Sequence, residues 1–161
     1  MDWRDTGFVL TARRHGESGL IAELLTEGHG RHAGLVRGGQ SPKKRALLQP
    51  GNLVSANWRG RLSEHLGALE VELLRAHAAG LIDDPGRLAA LSSAAALIAL
   101  ALPEREPHVD VFQDFSRLIA ALDSAAPVSA PPASDVPSPS PFRRAAIASR
   151  LVRRLRRPGR R

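Results

Sequence analysis

Leu-Val-Ser-Ala-Asn-Trp-Arg, residues 53–59, alternates apolar and polar side chains without a break. Val54, Ala56 and Trp58 fall on one face, and Ser55, Asn57 and Arg59 on the other. A period of two marks a strand buried on one side and solvated on the other. Residues 66–74 repeat the pattern, with Leu69, Val71 and Leu73 opposite Glu70 and Glu72. Val54, Trp58, Leu69 and Val71 are therefore expected inside. Upstream, residues 7–13, 20–26 and 31–36 are rich in strand formers. The turns between them are His15-Gly16-Glu17-Ser18 and Glu27-Gly28-His29-Gly30. Five short strands with such turn spacing predict a small antiparallel barrel or sandwich, and five is the strand number of an OB-fold.

From residue 81 the period lengthens. Asp84-Pro85 supplies an N-cap and a proline at the first helical position. Leu88, Leu91, Ala95, Ile98 and Leu102 then recur at helical spacing until Pro103. A second amphipathic helix is expected over 108–123, with Phe115, Leu122 and either Val111 or Phe112 and either Leu118 or Ile119 on one stripe. Residues 127–141, PVSAPPASDVPSPSP, cannot build a core. An arginine-rich end follows, with helical potential over 142–157. The expected organisation is a barrel over 1–80, the start of a helical domain over 81–124, and a disordered basic tail over 125–161.

The net charge of +7 is unevenly distributed: +3 over residues 1–80, −4 over 81–126 and +8 over 127–161. A case for nucleic acid must therefore be made locally. The stretch VRGGQSPKKRALLQPGN, residues 36–52, makes one. Its turn formers predict a loop, and it carries Arg37, Lys43, Lys44 and Arg45 with no acidic residue. Four like charges in nine residues repel one another and are relieved by a polyanion. Arg59 and Arg61 flank the next turn, and Arg13 and Arg14 end the first strand. All eight are expected to line one phosphate-binding groove. Trp3 and Phe8 are the candidate stacking platforms, whereas Trp58 belongs to the core.

Enzymatic signals are weak. His29 and His32 flank a turn glycine without a carboxylate at ligand spacing and read as solvated. His15 and Glu17 lack a third partner, Glu70 and Glu72 read as a solvated strand face, and Gly38-Gly39 lacks the rest of a phosphate loop. The chain contains no cysteine. No catalytic residues, metal or cofactor are expected. The longest apolar run, residues 94–102, is nine residues, and the N-terminus lacks the pattern of a signal peptide. A cytoplasmic protein is expected.

The order of these features resembles the bacterial RecO family of recombination mediators. The resemblance rests on the Gly16-Glu17-Ser18 turn, the turn over 26–30, the glycine and basic loop after Val36, and Leu48-Gln49-Pro50-Gly51. Residues 83–108 look like the family's first helices. The resemblance implies an OB-fold followed by a helical domain, without catalysis of bond cleavage. It further implies binding to single- and double-stranded DNA, strand annealing, partnership with RecR and single-stranded DNA-binding protein, and help in loading RecA near the nucleoid. Family members continue with a larger helical domain, often with a cysteine zinc site. Here an Arg/Pro/Ala/Ser tail stands instead, in a chain with 21 arginines and 2 lysines. That composition is what an out-of-frame reading of GC-rich coding DNA yields, and a frameshift near residue 124 is expected. Two other readings stay open: an RNA-binding OB-fold protein of the translation apparatus, and an interaction scaffold working through its helices.

Overall fold

The computed structural model describes residues 1–61 and 66–125. The basic tail lies outside the described residues apart from its first position. Strands β1 (Asp2–His15), β2 (Gly19–Thr26), β3 (Gly30–Val36), β4 (Leu53–Arg59) and β5 (Gly67–Arg75) close into a barrel in the order β1-β2-β3-β5-β4. A short helix α1 (Pro42–Leu47) lies between β3 and β4. Helices α2 (His77–Gly80), α3 (Pro85–Ala101) and α4 (Val109–Ser124) follow the barrel.

Closure depends on the length of β1. Its first half pairs with β4, from Asp2↔Arg59 to Phe8↔Leu53, and its second half with β2, from Gly7↔Thr26 to His15↔Gly19. The polar start of β1 carries little strand propensity; its cross-strand partners in β4 supply the order. The last seam, Gly34↔Gly67 and Leu35↔Ala68, is parallel, where the alternation had suggested only antiparallel neighbours. Glycine is required at Gly34 because a Cβ there would stand 2.6 Å from the Leu69 Cβ and crowd the Trp58 ring.

The barrel interior holds Val9, Leu24, Val54, Ala56, Trp58 and Leu69, with Val71 packed against them. Trp58 is 1% exposed and its Nε1–H donates to the Ala33 carbonyl at 3.2 Å. The expected register of β4 therefore holds. A buried indole without that acceptor would leave its N–H unpaired.

A second core forms on the outside of the barrel. A bulge in β1 between Val9 and Thr11 interrupts the alternation, and Phe8 and Leu10 join Leu25 against Leu81, Leu91, Ala95, Phe115 and Ile119. Phe8 is 3% exposed and its ring lies 5.4 Å from that of Phe115. It joins barrel to helices and is no platform for a ligand, which corrects the sequence expectation. Asp84 caps α3 as expected, its carboxylate accepting from the Arg87 N–H at 3.0 Å. The Arg87 guanidinium reaches across to the Leu122 carbonyl at 2.9 Å, pinning the end of α4, where a cation suits the helix dipole. α4 is amphipathic, but α3 is apolar nearly all round. Leu91 faces this second core while Leu97 and Leu100 are 66% and 84% exposed.

Candidate nucleic-acid interface

The basic segment is a structured ridge. Pro42 starts α1, and Lys44 and Arg45 occupy its last turn, where positive charge opposes the partial negative charge of the free carbonyls. Sequence punctuation predicted a loop across Ser41-Pro42; six of its residues are helical. Two side chains hold this ridge in place. Gln40 donates to the Gly16 and Gly19 carbonyls at 3.1 and 3.2 Å, docking the segment on the β1–β2 turn. Asn52 is 2% exposed and donates to the Ala46 and Leu47 carbonyls, while its oxygen accepts from the Ala78 N–H. Sequence reasoning missed Asn52. A polar residue directly after the Pro50-Gly51 turn was the available signal.

The ridge separates two grooves. One, of about 630 Å³, runs over the outer face of β4 and β5 and is lined by Arg37, Lys44 and Arg59, with Arg4, Asn57 and Glu72. The other, of about 480 Å³, is lined by Arg14 and Arg45, with Gln40, Gln49 and Ser92. The expected residues are thus brought to two grooves and not to one. Successive residues of a helix point about 100° apart, so Lys44 and Arg45 descend on different sides of α1. Arg13 precedes Arg14 on β1 and lies outside both linings, as do the exposed Lys43 and Arg61. Arg4 was not expected here because β1 was expected to begin at residue 7.

Charge pairing distinguishes the eight from the remainder. Arg4, Arg31, Arg75, Arg87, Arg105 and Arg117 each have a carboxylate within 4.0 Å. Arg13, Arg14, Arg37, Lys43, Lys44, Arg45, Arg59 and Arg61 have none among the described residues. Such an arrangement stores repulsion that bound phosphates relieve.

The carboxylates and histidines weighed in the sequence are placed as follows. Glu70 and Glu72 are solvated as expected, and Glu72 stands 3.7 Å from Arg4. His15 and Glu17 are exposed. The described residues hold no group of three ligating side chains that could bind a metal. His29 and His32 depart from the solvated reading. His29 Nδ1 lies 2.8 Å from Asp5, and its ring stacks on Trp3 at 4.3 Å. Burial pushes the Asp5 carboxyl up, but hydrogen bonds from His29 and the Gly28 and Thr6 N–H groups outweigh it and hold the group below its ordinary value. His32 is 5% exposed, wedged edge-on between Trp3 and Trp58, and neither ring nitrogen has a partner. Burial, aided by the Arg105 and His29 charges, lowers its pKa to about 4. Trp3 is half-buried by these rings and is no open platform. No described helix is long and apolar enough to cross a membrane.

The barrel matches the family model for the N-terminal domain of recombination protein O over residues 1–77, and the C-terminal model of the same family matches residues 82–136. The chain belongs to the RecO family. It is 59% identical over 124 residues to the DNA repair protein RecO of Rhodospirillum centenum, covering 77% of this chain and 50% of that protein. Against the RecO of Rhodospirillum rubrum the identity is 55% over 122 residues, covering 76% and 48%, and against that of Nitrobacter hamburgensis 52% over 125 residues, covering 78% and 49%. The chain thus spans about half the length of these RecO relatives. The five-stranded barrel is the RecO OB-fold, and the helices after it begin the RecO C-terminal region.

Proposed function

We propose that the chain is a non-catalytic, DNA-binding portion of a recombination mediator acting in bacterial DNA repair and homologous recombination. The observation that carries this reading is the set of eight cations without carboxylate partners among the described residues, five of which line two grooves on either side of α1. Two grooves suit a protein that holds two backbones at once, which fits annealing of single strands and binding to duplex DNA. Contacts are led by phosphate: the stacking residues are covered, so binding tolerates any sequence. RecR, single-stranded DNA-binding protein and, indirectly, RecA are the proposed partners, by membership of the family. Cytoplasmic placement at the nucleoid belongs to the same reading.

The test is an ionic-strength series on single-stranded DNA, duplex DNA and RNA, with Arg37, Lys43, Lys44 and Arg45 replaced together by Ala. Loss of about 3 from the slope of log K against log salt is expected on single strands if all four meet phosphates, at roughly 0.7 per contact. An unchanged slope would refute the assignment. Preference for RNA would favour the translation reading, and no binding the scaffold reading.

A further inference from the structure

A third concavity, of about 170 Å³, lies at the rim of the barrel and is built differently from the grooves. Trp3, His29, His32 and Trp58 form its wall on the barrel side, and Arg105 and Pro107 of the α3–α4 loop form the other. Two costly features meet there. His32 is a buried imidazole with both nitrogens unpaired, and Arg105 holds a left-handed φ of 64°. Groups left unsatisfied and backbone held in a sparse region persist where the surrounding structure imposes them, and they concentrate at ligand sites. Packing alone would be met more cheaply by a leucine at position 32.

The lining specifies its occupant. Aromatic edges and faces with Pro107 and Met1 select a flat ring, and the imidazole at the back offers one donor and one acceptor once a ligand displaces its neighbours. Arg105, partly exposed and paired with Glu104 at 3.6 Å, keeps the rim cationic and favours a ring carried on an anionic chain. The location agrees. Trp3 and Trp58 are cross-strand partners, and their sequence neighbours Arg4 and Arg59 line the larger groove on the opposite face of the same two strands. A backbone following Arg59 passes the rim where the Met1 amine meets the Gly60 carbonyl at 2.8 Å, and a base turned over that rim enters the cleft.

We infer that this cleft takes one unstacked nucleobase from a single strand held in the larger groove. The inference rests on the nucleic-acid reading above and adds a base contact to a mode otherwise led by phosphate.

The chain's two tryptophans both line the cleft, so intrinsic fluorescence reports on its occupation. The experiment titrates the full chain with an oligothymidylate and with an abasic oligonucleotide of equal length, following tryptophan emission and the anisotropy of a label on the DNA. Both should bind with similar salt slopes. Only the base-bearing strand should quench emission, and it should bind about tenfold more tightly, within the range for one stacked base. Trp3→Phe should reduce that preference without changing the slope, whereas Arg105→Ala should lower the slope by about 0.7 for both strands. Equal affinity with equal emission for the two strands would overturn the cleft and leave phosphate binding intact. Binding of neither would overturn both readings.

Discussion

Asn52 lies beneath Ala46, its side-chain amide donating to that residue's carbonyl across 3.1 Å. With the Leu47 carbonyl and the Ala78 N–H satisfied by the same side chain, one buried residue joins the basic ridge, the β4 entrance and α2. Asn52→Ala should cost about 2–3 kcal/mol, since buried backbone groups lose partners worth roughly 1 kcal/mol or more each. Urea unfolding measures the cost, and amide exchange in α1 should quicken at the same time. An unchanged midpoint would show that the ridge is held by other contacts.

Glu72 is the nearest restraint on the larger groove, pairing with Arg4 on an exposed surface. Glu72→Gln should free that arginine, strengthen DNA binding and steepen the salt slope by about 0.7 on single strands. Stability should move by less than about 0.5 kcal/mol, as expected for an exposed pair. Weaker binding would mean that the larger groove does not carry the strand.

His32 makes stability depend on pH. Its folded pKa of about 4 lies below the ordinary 6.5, so between those values the unfolded chain binds a proton that the folded chain refuses. Stability should therefore fall as pH drops from 6.5 and level off below about 4. Asp5 acts lower, because its carboxyl sits below 3.8 and its contribution is lost only as pH falls through that depressed value. His32→Leu should abolish the loss in the upper window and leave the lower one. Thermal melts at intervals from pH 7 to 3 separate the two.

Gly30 has a φ of +64°, and a Cβ there would collide with the Glu106 carbonyl of the α3–α4 loop. That loop is tied to β3 by the Arg105 N–H on the Arg31 carbonyl at 2.7 Å and by Arg31 on the Leu102 carbonyl at 2.9 Å. Gly30→Ala should destabilise the chain by about 2 kcal/mol or more and release the loop. Faster proteolysis near Arg105 should accompany the lower melting temperature; resistance equal to wild type would contradict this tie between loop and β3.

Leu97 and Leu100 project from α3 into solvent, on a helix that is apolar nearly all round. Such helices are usually covered, and the chain spans about half the length of its relatives. The chain should self-associate as concentration rises, and Leu97→Glu with Leu100→Glu should suppress this without lowering stability. Light scattering across a dilution series gives the answer, and association that survives both substitutions would move the contact elsewhere.

β4 and β5 were legible in the chain alone, because period-two alternation states which side is buried without reference to any partner. Trp58 and Val54 point inward for that reason, and Asp84-Pro85 started its helix because a cap is a local interaction. The cations that lack a carboxylate partner among the described residues were legible too: Arg37, Lys43, Lys44 and Arg45 as a run of like charge without acids, and Arg13, Arg14, Arg59 and Arg61 by their places beside turns and strand ends. Tertiary structure decided what those signals could not carry. The parallel seam at Gly34 and Gly67, the start of β1 at Asp2, and the division of Lys44 from Arg45 between two grooves depend on which strand lies beside which. The same holds for His32: three residues from His29 it reads as part of a solvated turn, but the barrel closes over it with Trp3 and Trp58. Burial of a polar ring is set by neighbours distant in the chain, and short-range pattern is silent about them.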